Sequence, residues 1–206
     1  MQWIILGIIA SYLIGSVPTA YIFGRLLKGI DIRKFGSGNV GATNALRVLG
    51  KGPGAAVLIL DILKGFIVVV YLGDFIIARS ALISTEALRI ILGLSCISGH
   101  NWTVFLQFKG GKGVATTLGV LLGLSVKIVG VKLILAIALT WFVVFLIARI
   151  VSVASVATGI AIPIYMLIFK QSLILILSGA LLCIFIILRH VSNLKRFFQG
   201  KEKRLF

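Results

Sequence analysis

The chain has 206 residues, is 60% hydrophobic with a mean hydropathy of +1.16, and carries a net charge of +16 from 21 basic and 5 acidic side chains. Soluble domains are about 45–50% apolar, so this composition excludes an ordinary soluble domain. It points to an all-α polytopic membrane helix bundle, because in lipid a helix satisfies its own backbone groups. The acids are Asp31, Asp61, Asp74, Glu86 and Glu202, with no D-x-D or D-x-x-D pair among them. Metal-assisted phosphoryl chemistry needs grouped carboxylates, so no metal and no cofactor is expected.

Continuous blocks such as KLILAIALTWFVVFLIA at 132–148 lack the period-two alternation of a membrane barrel. The basic residues gather in short loops between apolar runs, a positive-inside pattern that explains the high charge without nucleic acid. Cys96 and Cys183 lie inside apolar runs and are read as packing residues. Residues 1–206 read as one membrane domain, with no repeat and no soluble appendage.

Span length marks about seven apolar segments, roughly 4–25, 53–73, 88–106, 114–126, 130–148, 152–169 and 172–189. The first lacks a basic leader and reads as a span rather than a cleaved signal. The fourth is short enough to be re-entrant. With all seven crossing and the N-terminus outside, the outer loops keep only Arg79, Arg89, Lys127, Lys132 and Lys170. The other basic residues, Lys64 in its span excepted, fall inside, and the C-terminus is cytoplasmic.

After the first span comes KFGSGNVGATNALR at 34–47. Its glycines match G-x-G-x-x-G, but no βαβ unit surrounds them, and Ala42-Thr43 stand where a P-loop needs Lys-Ser/Thr. The chemistry of such loops still holds: glycines let N–H groups converge on an anion. Ser37, Asn39, Thr43 and Asn44 add hydrogen-bonding groups and Arg47 a fork for phosphate oxygens. Asp61 and Lys64 stand i, i+3 in the second span and can pair as a clasp or support the site.

The third span runs into GHNWTVFLQFKGGKG at 99–113. Gly110, Gly111, Lys112 and Gly113 form a second anion-friendly loop. A straight helix to Leu106 would set His100 about 9 Å deeper than that residue. His100 reads either as a functional intramembrane group or as a neutral ring bonding across helices. Phe105 stands where the acyl-CoA-type H-x-x-x-x-D motif would place its acid. The last segment, LRHVSNLKRFFQGKEKRLF, puts His190 and Asn193 on one helical face and then a basic tail suited to anionic lipid.

Together YLIGSVPTAYIFG at 12–24, FGSGNVGATNALR at 35–47, LDILKG at 60–65, GHNWTVFLQFKGGKG at 99–113 and RHVSNLKR at 189–196 cover nearly the whole chain. In these motifs the chain resembles the bacterial acyl-phosphate:glycerol-3-phosphate acyltransferases. The resemblance implies an integral enzyme of the bacterial cytoplasmic membrane with its active site facing the cytoplasm. It implies acyl transfer from acyl phosphate to the 1-position of glycerol 3-phosphate, giving lysophosphatidic acid in the first acylation of phospholipid biosynthesis.

It further places Ser37, Thr43 and Arg47 at substrate phosphates, Lys112 at the GGKG lysine, and His190 and Asn193 at the C-terminal pair. Ser37, Lys112 and His190 are then the catalytic candidates. Gly38, Asn39, Gly41, Asn44, Gly110, Gly111 and Gly113 join them in phosphate binding, and His100, Asp61 and Lys64 support the site. Membrane lipid and a transient contact with the soluble enzyme that makes acyl phosphate are the expected partners. Direct transfer is expected over an acyl-serine, because a serine nucleophile needs an adjacent base. The competing reading is a transporter for a phosphorylated anion, which the one-sided crowding of basic motifs disfavours.

Overall fold

A break at Val17–Pro18 divides the first apolar segment into α1 (Gln2–Ser16) and α2 (Thr19–Lys28). Proline has no N–H for the helical ladder, so the segment expected as one rod is two. The structure, a computed structural model, describes residues 1–205. All regular elements among these are helical. By their contacts they fall into two compact units, Met1–Leu124 and Ser125–Phe206.

In the first unit, a single turn at Ile32–Lys34 and the glycine loop follow α2. Then come α3 (Ala42–Leu49) and α4 (Lys51–Ile67), which continues through a π-helical turn at Val68–Leu72 into α5 (Gly73–Ile77). Helix α6 (Thr85–Asn101) and α7 (Val114–Leu124) complete the unit. Two helix pairs approach to backbone contact. A Cβ on Gly15 or Gly99 would collide with the Cys96 or Tyr12 carbonyl, joining α1 to α6. One on Gly65 or Gly119 would collide with the Thr116 or Ile62 carbonyl, joining α4 to α7. Without a hydrophobic drive between helices in lipid, such close packing is what holds them together.

Arg89, expected in an outer loop, is instead buried within α6. Its Nη1 donates to the Val69 carbonyl at 2.5 Å and the Val70 carbonyl at 3.3 Å, and Nη2 pairs with Asp74. The π-helical turn interrupts the α-ladder there, and the guanidinium supplies donors to the turn's carbonyls.

In the second unit, a π-helical turn at Ser125–Val129 precedes α8 (Val131–Ala148), α9 (Val151–Ile168) and α10 (Leu173–Phe198). The Thr140 and Tyr165 hydroxyls bond at 2.8 Å between α8 and α9. Gly159 against Ile186 and Gly179 against Met166 seat α9 on α10.

Each of the seven apolar segments lies on helix. Five helical stretches are long and apolar enough to cross a membrane: Gln2–Lys28, Lys51–Ile77, Val131–Ala148, Val151–Ile168 and Leu173–Phe198. Thr85–Asn101, at 17 residues, and Val114–Val129 are shorter. Two expected ends move. Helix α6 stops at Asn101 rather than 106, so His100 sits in its last turn. Helix α10 runs past 189 to Phe198, making His190 and Asn193 part of the helix body.

Candidate active site

The glycine loop is held from inside by Asn44, which is 1% exposed. Its Oδ1 accepts the Ser37 N–H at 2.8 Å. Its Nδ2 points at the carbonyls of Asn39 at 2.9 Å, Phe35 at 3.1 Å and Ile32 at 3.3 Å. Expected as a phosphate ligand, Asn44 is therefore engaged by the loop's own backbone. The loop can fold this tightly because Gly36 (φ 62) and Gly38 (φ 71) take the left-handed region. A Cβ on Gly36 would also overlap the Asn44 carboxamide oxygen.

Beneath it, Ile32, Val40, Ala45 and Leu49 pack with Ala20, Val57 and Leu106 in one apolar cluster. That anchoring leaves Ser37 and Arg47 exposed and Asn39, Gly41 and Thr43 partly so. Before the loop, Asp31 takes a fork from Arg33, with Nη2 at 2.7 Å. The guanidinium's hydrogen bonds hold the Asp31 carboxyl down at about 2.

The second loop lies on the end of α6. Gly110 N–H donates to the Asn101 carbonyl at 3.2 Å and Gly111 N–H to the His100 carbonyl at 2.9 Å. Both amides are thus engaged within the protein, and Lys112 is the half-buried side chain the loop contributes. Gly113 (φ 75) rests on the Asn101 carboxamide, and its carbonyl accepts the Thr117 N–H at 2.7 Å to start α7.

Asn101, fully buried, was passed over in the sequence. Its place directly after His100 in a polar run was the only signal. The end of α6 is tied to α1 by Tyr12 donating to the Trp102 carbonyl at 2.6 Å and Thr103 to the Ser16 carbonyl at 2.6 Å.

Asp61, Lys64 and His100 meet as a buried cluster. Asp61 Oδ1 lies 2.9 Å from Lys64 Nζ, 3.7 Å from His100 Nδ1 and 2.7 Å from the Thr19 hydroxyl that donates to it. The paired reading of Asp61 and Lys64 is met, with His100 as a third member.

In the second unit His190 is 2% exposed, and its Nδ1 lies 2.8 Å from the Ile186 carbonyl. A carbonyl only accepts, so Nδ1 carries a proton and, in the neutral ring, Nε2 carries the lone pair. One turn on, Asn193 donates through Nδ2 to Glu202 Oε1. Glu202 also accepts from Ser152 at 3.0 Å and Arg196 at 2.8 Å. Burial opposes its charge, but bonds from Asn193, Arg196 and Ser152 hold the carboxyl below its usual range. Glu202 thus clamps the chain end onto α9 and α10 and orients Asn193. The tail expected to lie on lipid is pinned here by Glu202.

A family model described as glycerol-3-phosphate acyltransferase matches residues 5–200. A glycerol-3-phosphate acyltransferase of Gloeobacter violaceus is 43% identical, with 100% of this chain and 97% of that one covered. One of Staphylococcus aureus is 42% identical, with 98% of both chains covered. A crystal structure of PlsY (YgiH), an integral membrane glycerol 3-phosphate acyltransferase in its glycerol 3-phosphate form, matches with a TM-score of 0.85. It is 37% identical and covers 98% of this chain and 94% of its own. Its lysophosphatidic acid form gives a TM-score of 0.82 at 36% identity. Sequence and fold agree over the full length, and the chain belongs to the glycerol-3-phosphate acyltransferase family.

Proposed function

We propose that the protein transfers a fatty acyl group from acyl phosphate to the 1-hydroxyl of glycerol 3-phosphate, releasing lysophosphatidic acid and inorganic phosphate. The reaction takes place at the cytoplasmic face of a bacterial cytoplasmic membrane. All seven segments cross, with the N-terminus outside. The observation that carries the reading is the glycine loop: Asn44 fastens it from within, leaving Ser37, Thr43 and Arg47 at its accessible side. Both substrates carry phosphate, and a guanidinium with hydroxyls on a rigid loop suits that group.

Acyl phosphate is a mixed anhydride with phosphate as its leaving group. The protein's work is then to hold two phosphates side by side, screen their repulsion and aim a hydroxyl at a carbonyl. Arg47 and Lys112 supply the positive charge. Ser37, Asn39 and Thr43 donate hydrogen bonds, and the loop glycines admit the phosphates closely. Asn193, oriented by Glu202, binds the acceptor.

In direct transfer the hydroxyl oxygen bonds to the acyl carbon. The bond from that carbon to the phosphate oxygen breaks, and the phosphate leaves with the electron pair. The hydroxyl proton passes to Nε2 of His190, the nitrogen with a lone pair. The soluble enzyme that makes acyl phosphate is the expected transient partner.

The test is purified protein in detergent with palmitoyl phosphate or palmitoyl-CoA and glycerol 3-phosphate. Lysophosphatidate from the acyl phosphate alone, lost in Arg47→Ala and Lys112→Ala, is the expected result. Product from palmitoyl-CoA would overturn the donor assignment. A radiolabelled acyl-protein trapped without glycerol 3-phosphate would overturn direct transfer. Flux of a phosphorylated anion across proteoliposomes without product would favour transport.

A further inference from the structure

An ammonium has three N–H donors and no acceptor. Lys64 Nζ, 7% exposed, has three acceptors around it: Asp61 Oδ1 at 2.9 Å, His100 Nδ1 at 2.8 Å and the Val17 carbonyl at 3.4 Å. The ion pair with Asp61 keeps the lysine charged. A ring nitrogen at hydrogen-bond distance from an ammonium must offer a lone pair, because an N–H there would set donor against donor. His100 Nδ1 is therefore unprotonated and the ring proton is on Nε2. His190 is the opposite case, with its proton on Nδ1 facing a carbonyl.

The other side of the His100 ring faces Gly111. A Cβ on Gly111 would collide with Nε2, and the nearest atoms to it are all of this imidazole. The residues around it, Gly110 and Gly111, hang by their N–H groups from the carbonyls of Asn101 and His100. Ring and loop are thus one packed object, and the ring's orientation is set from α4 by the lysine.

We propose that Lys64 is a positioning residue: it fixes His100 as the Nε2-protonated tautomer and so seats its ring as the wedge carrying the Gly110–Gly113 loop and Lys112. A consequence is that His100 is not the general base. Its lone pair is covered by the ammonium and its other nitrogen already bears a proton. A mere clasp between spans would hold α4 to α6 without setting a tautomer or excluding a side chain at 111.

The first arm is spectroscopic and independent of the proposed activity. The full chain is labelled with 15N-histidine in detergent at about pH 7, where an unrestrained imidazole exchanges between forms. The chain has 2 histidines, and His190→Gln assigns the remaining signals. The expected result is one ring locked with Nδ1 unprotonated and Nε2 protonated. That lock is lost in Asp61→Asn/Lys64→Gln, a pair chosen so that no lone buried charge remains. A Nδ1-protonated ring or an imidazolium for His100, or a lock that survives the double variant, overturns the proposal.

The second arm reads the wedge and rests on the acyl-phosphate activity proposed above. Gly111→Ala overpacks the site and is expected to lower kcat/KM by about tenfold, mainly through KM for palmitoyl phosphate. In a His100→Ala background the same methyl is expected to cost less than about threefold, since the ring it met is gone. An equal cost in both backgrounds overturns the wedge. Native protein inactive with palmitoyl phosphate but carrying the locked ring would fail the functional reading alone.

Discussion

Asn44 shows how far a residue's type can stand from its work. In the sequence it is one of several polar groups in a glycine loop, each an equal candidate for a phosphate. In the fold it is buried, and four backbone groups converge on its carboxamide. Composition and spacing announce the loop but not which side chain turns inward, because that depends on the left-handed turns at Gly36 and Gly38. Asn44→Ala leaves those groups unsatisfied at a cost of about 1–3 kcal/mol for each that stays buried. Activity with palmitoyl phosphate is expected to fall at least tenfold, more than for the exposed Ser37→Ala, in steady-state assays.

Glu202 belongs to the same scale. Its folded carboxyl lies below its usual range, so its stabilisation is complete above the unfolded value near 4.5. It is lost as pH falls through the folded value. Asp31, held at about 2 by Arg33, acts in the same direction. Thermal unfolding in detergent should therefore weaken from about pH 5 downward. Glu202→Gln should lower Tm at neutral pH and flatten that slope.

At the scale of elements, the helices were legible because a run of about twenty apolar residues has few other uses. Their ends were less so. WTVF after Asn101 is apolar enough to extend a span, yet the chain leaves the helix there and Thr103 caps a short turn through the Phe105 N–H. The polar end of α10 reads as a surface tail until Glu202 returns to meet Asn193 and Arg196. The backbone contact between α4 and α7 gives a sharp test. Gly119→Leu would force a side chain into the Ile62 carbonyl. It should destabilise by more than the about 1–3 kcal/mol typical of overpacking, since backbone cannot repack as side chains do. Gly52→Leu, with open space around it, should change Tm little in the same melt.

At the scale of the whole molecule, five stretches are long and apolar enough to cross and two are shorter. The assignment of all seven as crossings therefore rests on charge. A cysteine-free background with single cysteines at positions 51, 79, 170 and 201 tests it with an impermeant thiol reagent on intact cells. Positions 79 and 170 should label from outside, and 51 and 201 only after permeabilisation. Labelling of 201 from outside would remove one crossing, and Val114–Val129 would be the first to go.

The length of α10 has a consequence of its own. Its 26 residues span about 39 Å at about 1.5 Å per residue, against a hydrocarbon layer of about 30 Å. The surplus lies at the end carrying His190, Asn193 and Arg196, past the apolar run. Proton acceptor and amide are therefore mounted at the height of lipid headgroups. A donor whose tail dissolves in the bilayer reaches that height with its carbonyl already there, so the membrane itself acts as a ruler for the reaction. Depth becomes a criterion of selection, and a short-tailed donor that does not partition forfeits the alignment however well its phosphate is bound.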